Sequence, residues 1–222
     1  YTPYIGKPMR SEYYKDLELQ IAPALLKHYR KVFGGDKKIF GKNLLMLNAL
    51  EESISKLFSK EKEKIQKGDS LTVLYLEKEF EYPLNVPEVG KILLKGKIDR
   101  IDRFNGAFRI VDYKLGKIES SKLKISDWES LKGDIKRLAL FQILLYTYVN
   151  KGVLTDEVSI QAGIISFKSM DHYLLPFAHI KENKSKISNE INSEVLNSFE
   201  NFLVKLVQEI FDTSKPFAAL EN

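Results

Sequence analysis

The sequence predicts an α/β fold in which helices flank a mixed, hairpin-containing β-sheet. Three observations predict it. Helical periodicity occupies both ends of the chain, β-branched and aliphatic strand character fills the middle, and Asn105-Gly106 sits between two adjacent strand-like runs.

From Asp16 to Phe33 the pattern is helical, with Leu17, Ile21, Leu25 and Tyr29 on one face, Pro23 as a candidate break and Gly34-Gly35-Asp36 as the stop. A second helix is expected from about Lys42 to Lys67, with an apolar stripe of Leu44, Leu47, Leu50, Ile54, Leu57 and Phe58. Glu51 falls at the edge of that stripe, Glu52 points away from it, and the run Lys60–Lys67 reads as a solvated face. The period then changes. Leu71–Phe80, Lys91–Phe104 and Ala107–Leu115 read as strands, and Asn-Gly between the last two signals a tight type I′ hairpin turn. A polar stretch from Gly116 to Gly133 follows, and Asp134 can cap an apolar helix reaching about Val149. Val158–Phe167 and Tyr173–Phe177 read as strands, and a final helix is expected from about Ser188 to Phe211. No linker splits the chain. Residues 1–68 form a helical N-terminal segment and 69–222 the core with its C-terminal helix, expected as one compact domain.

Composition narrows the function classes. With 44% hydrophobic residues the chain can bury a large core. It has no apolar run long enough to span a bilayer and no signal-peptide pattern at its start, so a cytoplasmic location away from membranes is expected. Without cysteine it can hold no iron–sulfur cluster and no thiolate zinc site within this chain. His28, His172 and His179 lack paired ligand spacing. A net charge of +5 favours a polyanionic partner without demanding one.

The chemistry concentrates in Gly96-Lys97-Ile98-Asp99-Arg100-Ile101-Asp102 and Ile110-Val111-Asp112-Tyr113-Lys114. On the second of these strands Phe108, Ile110, Asp112 and Lys114 share a face, which puts a carboxylate and an ammonium at the end of an apolar row. Buried there, such charges need a partner or a metal. The hairpin can bring Asp99 alongside, and two carboxylates beside a lysine make a plausible site for Mg²⁺ or Mn²⁺. Phosphodiester hydrolysis fits that set: the ion activates water, and the lysine orients it, moves a proton or stabilises charge on phosphorus. Alternation puts Asp102 on the opposite face, where a solvated or lysine-paired role is expected.

Gly-x-x-Asp at 96–99 followed by Asp-x-Lys at 112–114 resembles the signature strands of the PD-(D/E)XK nucleases. Downstream, Gln142 and Tyr146, four apart on one face of an otherwise apolar helix, resemble the Gln-x-x-x-Tyr motif of RecB/AddB-like members. Each motif alone is common; their order, strand–hairpin–strand–helix, carries the resemblance, which is close over about residues 70–165. It implies a restriction-endonuclease-like fold. It also implies a metal-dependent, exonuclease-type DNA nuclease of a helicase–nuclease or DNA-repair system, with DNA and a helicase subunit as partners. Asp99 and Asp112 would be metal ligands, joined by the backbone carbonyl of Tyr113, Lys114 would be the catalytic lysine, and Gln142 and Tyr146 would line the site. Lysines from Lys91 to Lys136, with Arg137, can neutralise phosphates, and Trp128 can stack bases.

The pattern departs from these relatives in one place. They usually carry a histidine ligand in a Gly-x-x-x-His setting on an early helix, whereas Gly41 is followed by Leu45. That ligand is expected upstream of Tyr1; alternatively Glu51 serves, or catalysis has been lost and the domain is a scaffold gripping DNA or a helicase. Ile210-Phe211-Asp212 and Lys215-Pro216-Phe217 similarly resemble the approach to a C-terminal cysteine cluster, which is expected beyond this chain.

Overall fold

The computed structural model describes residues 1–34, 39–153, 160–168, 171–180, 187–214 and 216. Two long helices open the chain, α1 (Tyr13–Phe33), which runs on through Pro23, and α2 (Gly41–Gln66). Three long strands follow: β1 (Leu71–Val86), β2 (Gly90–Phe104) and β3 (Ala107–Lys114). Beyond the short strand β4 (Lys124–Ile125) come the helix α3 (Leu138–Val149) and β5 (Ile160–Ser166). The short strands β6 (Leu175–Pro176), β7 (Ala178–Ile180), β8 (Ile187–Ser188) and β9 (Glu190–Ile191) precede α4 (Ser193–Phe211).

Among the described residues the main sheet has the order β1-β2-β3-β5-β6, with β9 also on β5; β4, β7 and β8 make a small second sheet. Only β3 and β5 of the main sheet run parallel, joined through α3, and its other pairs are antiparallel. This is the mixed α/β sheet with flanking helices that the sequence predicts, consistent with a restriction-endonuclease-like fold.

Each face of the sheet carries its own core. Phe108 and Ile110 of β3, with Ile160, Ala162 and Ile164 of β5, join α3 and α4 in the larger one. Val111 and Ile165, which alternation turns the other way, join residues of α1 and α2 in the second. A strand buried on both faces reads as a nearly continuous apolar run, as β3 does up to Asp112 except at the buried Arg109.

The β2–β3 turn forms as expected. Asn105 and Gly106 both have positive φ, 48° and 85°, the requirement of a type I′ turn. Several boundaries differ from expectation. β1 continues six residues past Phe80, through Pro83, because it is an edge strand and can spare that N–H. Asp134 caps a short 3₁₀ turn at Ile135–Arg137 that leads into α3, its carboxylate accepting from the Lys136 N–H at 2.9 Å. α4 starts at Ser193 rather than near Ser188; β8 and β9 take up the intervening residues, and Asn192 accepts from the Val195 N–H as the cap. Tyr173–Phe177 contributes only two residues to the main sheet, as β6. Gly35-Asp36, part of the expected first helix stop, and Val158-Ser159, the expected start of β5, lie outside the described residues.

Candidate active site

The site forms where β2 and β3 part company. Their ladder ends at Arg100↔Val111, so backbone pairing does not extend to Asp99. Ile98 and Ile101, three residues apart, both enter the larger core, which means that strict alternation is interrupted between them. Across from this point on β1, Glu77 adopts φ of 52°, unusual for a residue with a side chain. The carboxylate of Asp99 then takes over as acceptor for the next amide of β3, receiving the Tyr113 N–H on Oδ2 at 2.9 Å.

Asp112 is 1% exposed, and neither of its carboxylate oxygens has a hydrogen-bond partner. Its nearest cation, Lys114 Nζ, stands 3.0 Å from Oδ2, an ion pair whose angles fall short of a hydrogen bond. Burial pushes the Asp112 carboxyl up from its ordinary range; the Lys114 ammonium opposes that shift and the charge of Asp99 adds to it. The two acids are therefore close enough to repel one another.

Lys114 reaches across to α3, donating to Gln142 Oε1 at 2.7 Å, and Gln142 Nε2 donates to the Tyr146 hydroxyl at 2.6 Å. The Tyr146 phenol is raised by burial first, eased by the Gln142 bond, and raised again by Asp112 and Asp99. Tyr146 thus shares the field of the acid pair. Its ring meets Phe80 edge-on at 6.0 Å, and Phe80 in turn lies over Gly96. A Cβ at Gly96 would come within 2.8 Å of the Phe80 ring, which gives the glycine of Gly-x-x-Asp a packing reason.

The structure brings Asp99, Asp112, Tyr113, Lys114, Gln142 and Tyr146 together. Glu51 stands exposed on α2, and among the described residues no hydrogen bond or ion pair joins it to that group. No cluster of three or more histidine or acidic side chains able to hold a metal occurs among the described residues. The donor set still suits a hard cation. An orphaned buried carboxylate beside a second acid is short of positive charge, and a backbone carbonyl and waters complete such shells.

A family model for the PD-(D/E)XK nuclease superfamily matches residues 10–222. The chain belongs to that superfamily. Membership implies a nuclease acting on DNA, and PD-(D/E)XK nucleases generally use divalent metal ions. A comparison with curated proteins gives no match. Among the described residues no helix is long and apolar enough to cross a membrane.

This PD-(D/E)XK domain also contains a buried polar network that sequence reasoning missed. Asp102 is fully buried, not solvated or lysine-paired. It accepts from Arg100 Nε at 2.7 Å and from Arg109 Nε and Nη2 at 2.8 and 2.9 Å. Glu61 is buried too, although it sits inside the charge run assigned to a solvated face, and Arg100 Nη1 donates to it at 2.8 Å. One signal was available: at 100° per residue Glu61 follows Leu57 and Phe58 on the inward face. Of the cations assigned to a DNA path, Lys95, Lys97, Lys122 and Lys132 pair with Glu81, Glu77, Asp134 and Glu209. Lys91, Lys117 and Lys136 are exposed with no ion pair among the described residues. Trp128 packs on the larger core, 6.1 Å from Phe199.

Proposed function

We propose that the chain is a Mg²⁺- or Mn²⁺-dependent deoxyribonuclease of the RecB/AddB-like kind, cutting DNA exonucleolytically within a helicase–nuclease or repair system. The observation that carries this reading is the buried Asp112 carboxylate, without a hydrogen bond on either oxygen, set beside Asp99 and Lys114. The RecB/AddB-like part rests on Gln142 and Tyr146, whose bonds reach Lys114.

Asp99, Asp112 and the Tyr113 carbonyl would hold the ion, which supplies Lewis-acid polarisation of a phosphoryl oxygen and a lowered pKa for bound water. Asp99 also keeps the Tyr113 backbone in place. Lys114, tethered by Asp112 and Gln142, presents its ammonium where negative charge grows on the phosphate, and needs no rearrangement at that moment. Tyr146 orients the Gln142 amide so that its oxygen faces the lysine.

The purified chain, or the longer protein containing it, should degrade linear DNA when given Mg²⁺ or Mn²⁺, and spare covalently closed circles. Lys114→Ala and Asp112→Ala should each lower the rate by at least about 100-fold, the scale of losing one charge-stabilising group. Equal digestion by wild type and both variants would overturn the assignment of these residues.

A second reading, a nuclease-like scaffold gripping DNA or a helicase, is favoured by Leu45 standing where RecB/AddB-like relatives carry their histidine. Calorimetry with Mn²⁺ separates the two, since the scaffold takes up no ion.

A further inference from the structure

We propose that Arg100 and Glu61 position the catalytic end of β3 by gripping the phenol of Tyr113 from the opposite face of the sheet. This rests on the reading of Asp99 and Asp112 as the metal-binding pair.

The need for such a device is visible in the ladder. Backbone pairing between β2 and β3 stops at Arg100↔Val111, one step short of setting Asp99 opposite Asp112. Two side-chain bonds hold the strands together beyond that point, and both end on Tyr113. Its backbone N–H donates to Asp99 at 2.9 Å, and its hydroxyl accepts from Arg100 Nη1 at 3.0 Å. Asp99 and Arg100 are neighbours on β2, and Tyr113 lies between Asp112 and Lys114 on β3. Twisting the end of β3 about its own axis would break both bonds together.

Arg100 can serve as a fixed point because it is itself immobilised. It is fully buried, with Nε on Asp102 and Nη1 shared among Glu61, Tyr113 and, at 3.3 Å, the Tyr1 hydroxyl. Glu61 is pinned in turn by three hydroxyl donors, from Tyr1 at 2.6 Å and Tyr14 at 2.9 Å on Oε2 and Tyr173 at 2.8 Å on Oε1. Glu61 belongs to α2, so the helical layer reaches the end of the catalytic strand through a guanidinium as well as through the packing of Val111 and Tyr113 in the second core. A buried ion network of this kind contributes little net stability over an apolar core, and its attested use is to specify geometry.

Tyr113→Phe tests the grip, with Tyr173→Phe as its control. The control also removes one hydroxyl from the network, at Glu61 and Arg109, but touches no residue of the site. Two measurements are made on each: Mn²⁺ affinity by calorimetry, and hydrogen exchange of the amide at position 113 by mass spectrometry. Tyr113→Phe should keep wild-type circular dichroism, weaken Mn²⁺ binding about tenfold, the lower end for groups that orient metal ligands, and speed exchange at position 113. Tyr173→Phe should lower the melting temperature and change both quantities much less than Tyr113→Phe does, since Tyr1, Tyr14 and Arg100 still hold Glu61. Wild-type Mn²⁺ affinity in Tyr113→Phe, or equal weakening in both variants, overturns the proposal. If the wild type takes up no Mn²⁺, the metal-site reading fails, and the grip is then judged on exchange alone: an unchanged rate at position 113 overturns it. Should Tyr113→Phe not fold, Glu61→Gln, which keeps the shape and loses the charge holding Arg100, carries the same expectations.

Discussion

Asp112 holds a carboxylate where water scarcely reaches and no donor completes its hydrogen bonds. A buried polar group left in that state costs about 1–3 kcal/mol, so the metal-free fold tolerates this residue instead of gaining from it. Burial raises its carboxyl, which fixes the sign of the pH dependence. The stability contributed by the protonated form is complete below the ordinary carboxylate range, and it is lost as pH climbs through the raised value. Asp112→Asn mimics the protonated form at every pH. In metal-free buffer its melting temperature should therefore exceed that of the wild type by a margin that opens above about pH 4. That margin should level off on the order of 1 kcal/mol, about 2–4 °C in a chain of this size. Mn²⁺ at neutral pH should reverse the order by stabilising only the wild type. Identical thermal shifts with Mn²⁺ in both proteins would show that the carboxylate binds no ion.

At the scale of elements, what could be read in the sequence is what neighbours along the chain decide. Asn105-Gly106 announced the β2–β3 turn because a type I′ turn needs two positive φ values. Gln142 and Tyr146 were placed on one face of α3 by their spacing, and they do hydrogen-bond. Illegible were the contacts assembled from distant segments. Glu61, Arg100, Asp102, Arg109 and Tyr173 meet from α2, β2, β3 and the stretch before β6, and nothing local distinguishes such charges from solvated ones. The start of α4 was misjudged because Ile187, Ser188 and Ile191 fit a helical stripe as well as two short strands. Gly96 shows the same limit on a motif residue, since its reason is Phe80 on the partner strand. Gly96→Ala must push the Phe80 ring aside, and that ring backs Tyr146. A cost of about 1–3 kcal/mol is expected for this overpacking. Nuclease activity should fall even well below the melting temperature, because Tyr146 orients Gln142. A smaller, ring-free side chain at position 80, in the double variant Gly96→Ala with Phe80→Leu, should restore stability without activity; full recovery of both would break the link to Tyr146.

Across the whole molecule the sheet separates two apolar cores; the Glu61, Arg100, Asp102 and Arg109 network lies on the side of α1 and α2, and Asp112 lies on the side of α3. The second core mixes residues of both helices with Leu71, Val111 and Ile165 of the sheet, so neither layer is covered without the other. Residues 1–68 and 69–222 are therefore expected to unfold as one unit. Glu61→Ala examines this from the helical side, because it leaves the buried Arg100 without one of its two counter-charges. Breaking a buried pair in this way costs about 3–5 kcal/mol. Trp128, the only tryptophan, reports from the other core, beside Phe199. In a single cooperative unit, denaturant midpoints followed by Trp128 fluorescence and by helical circular dichroism should fall together in Glu61→Ala. A fluorescence midpoint that stays at its wild-type value while the helical signal melts early would mean that α1 and α2 form a separate unit. The helical layer could not then hold the catalytic strand in register through Arg100.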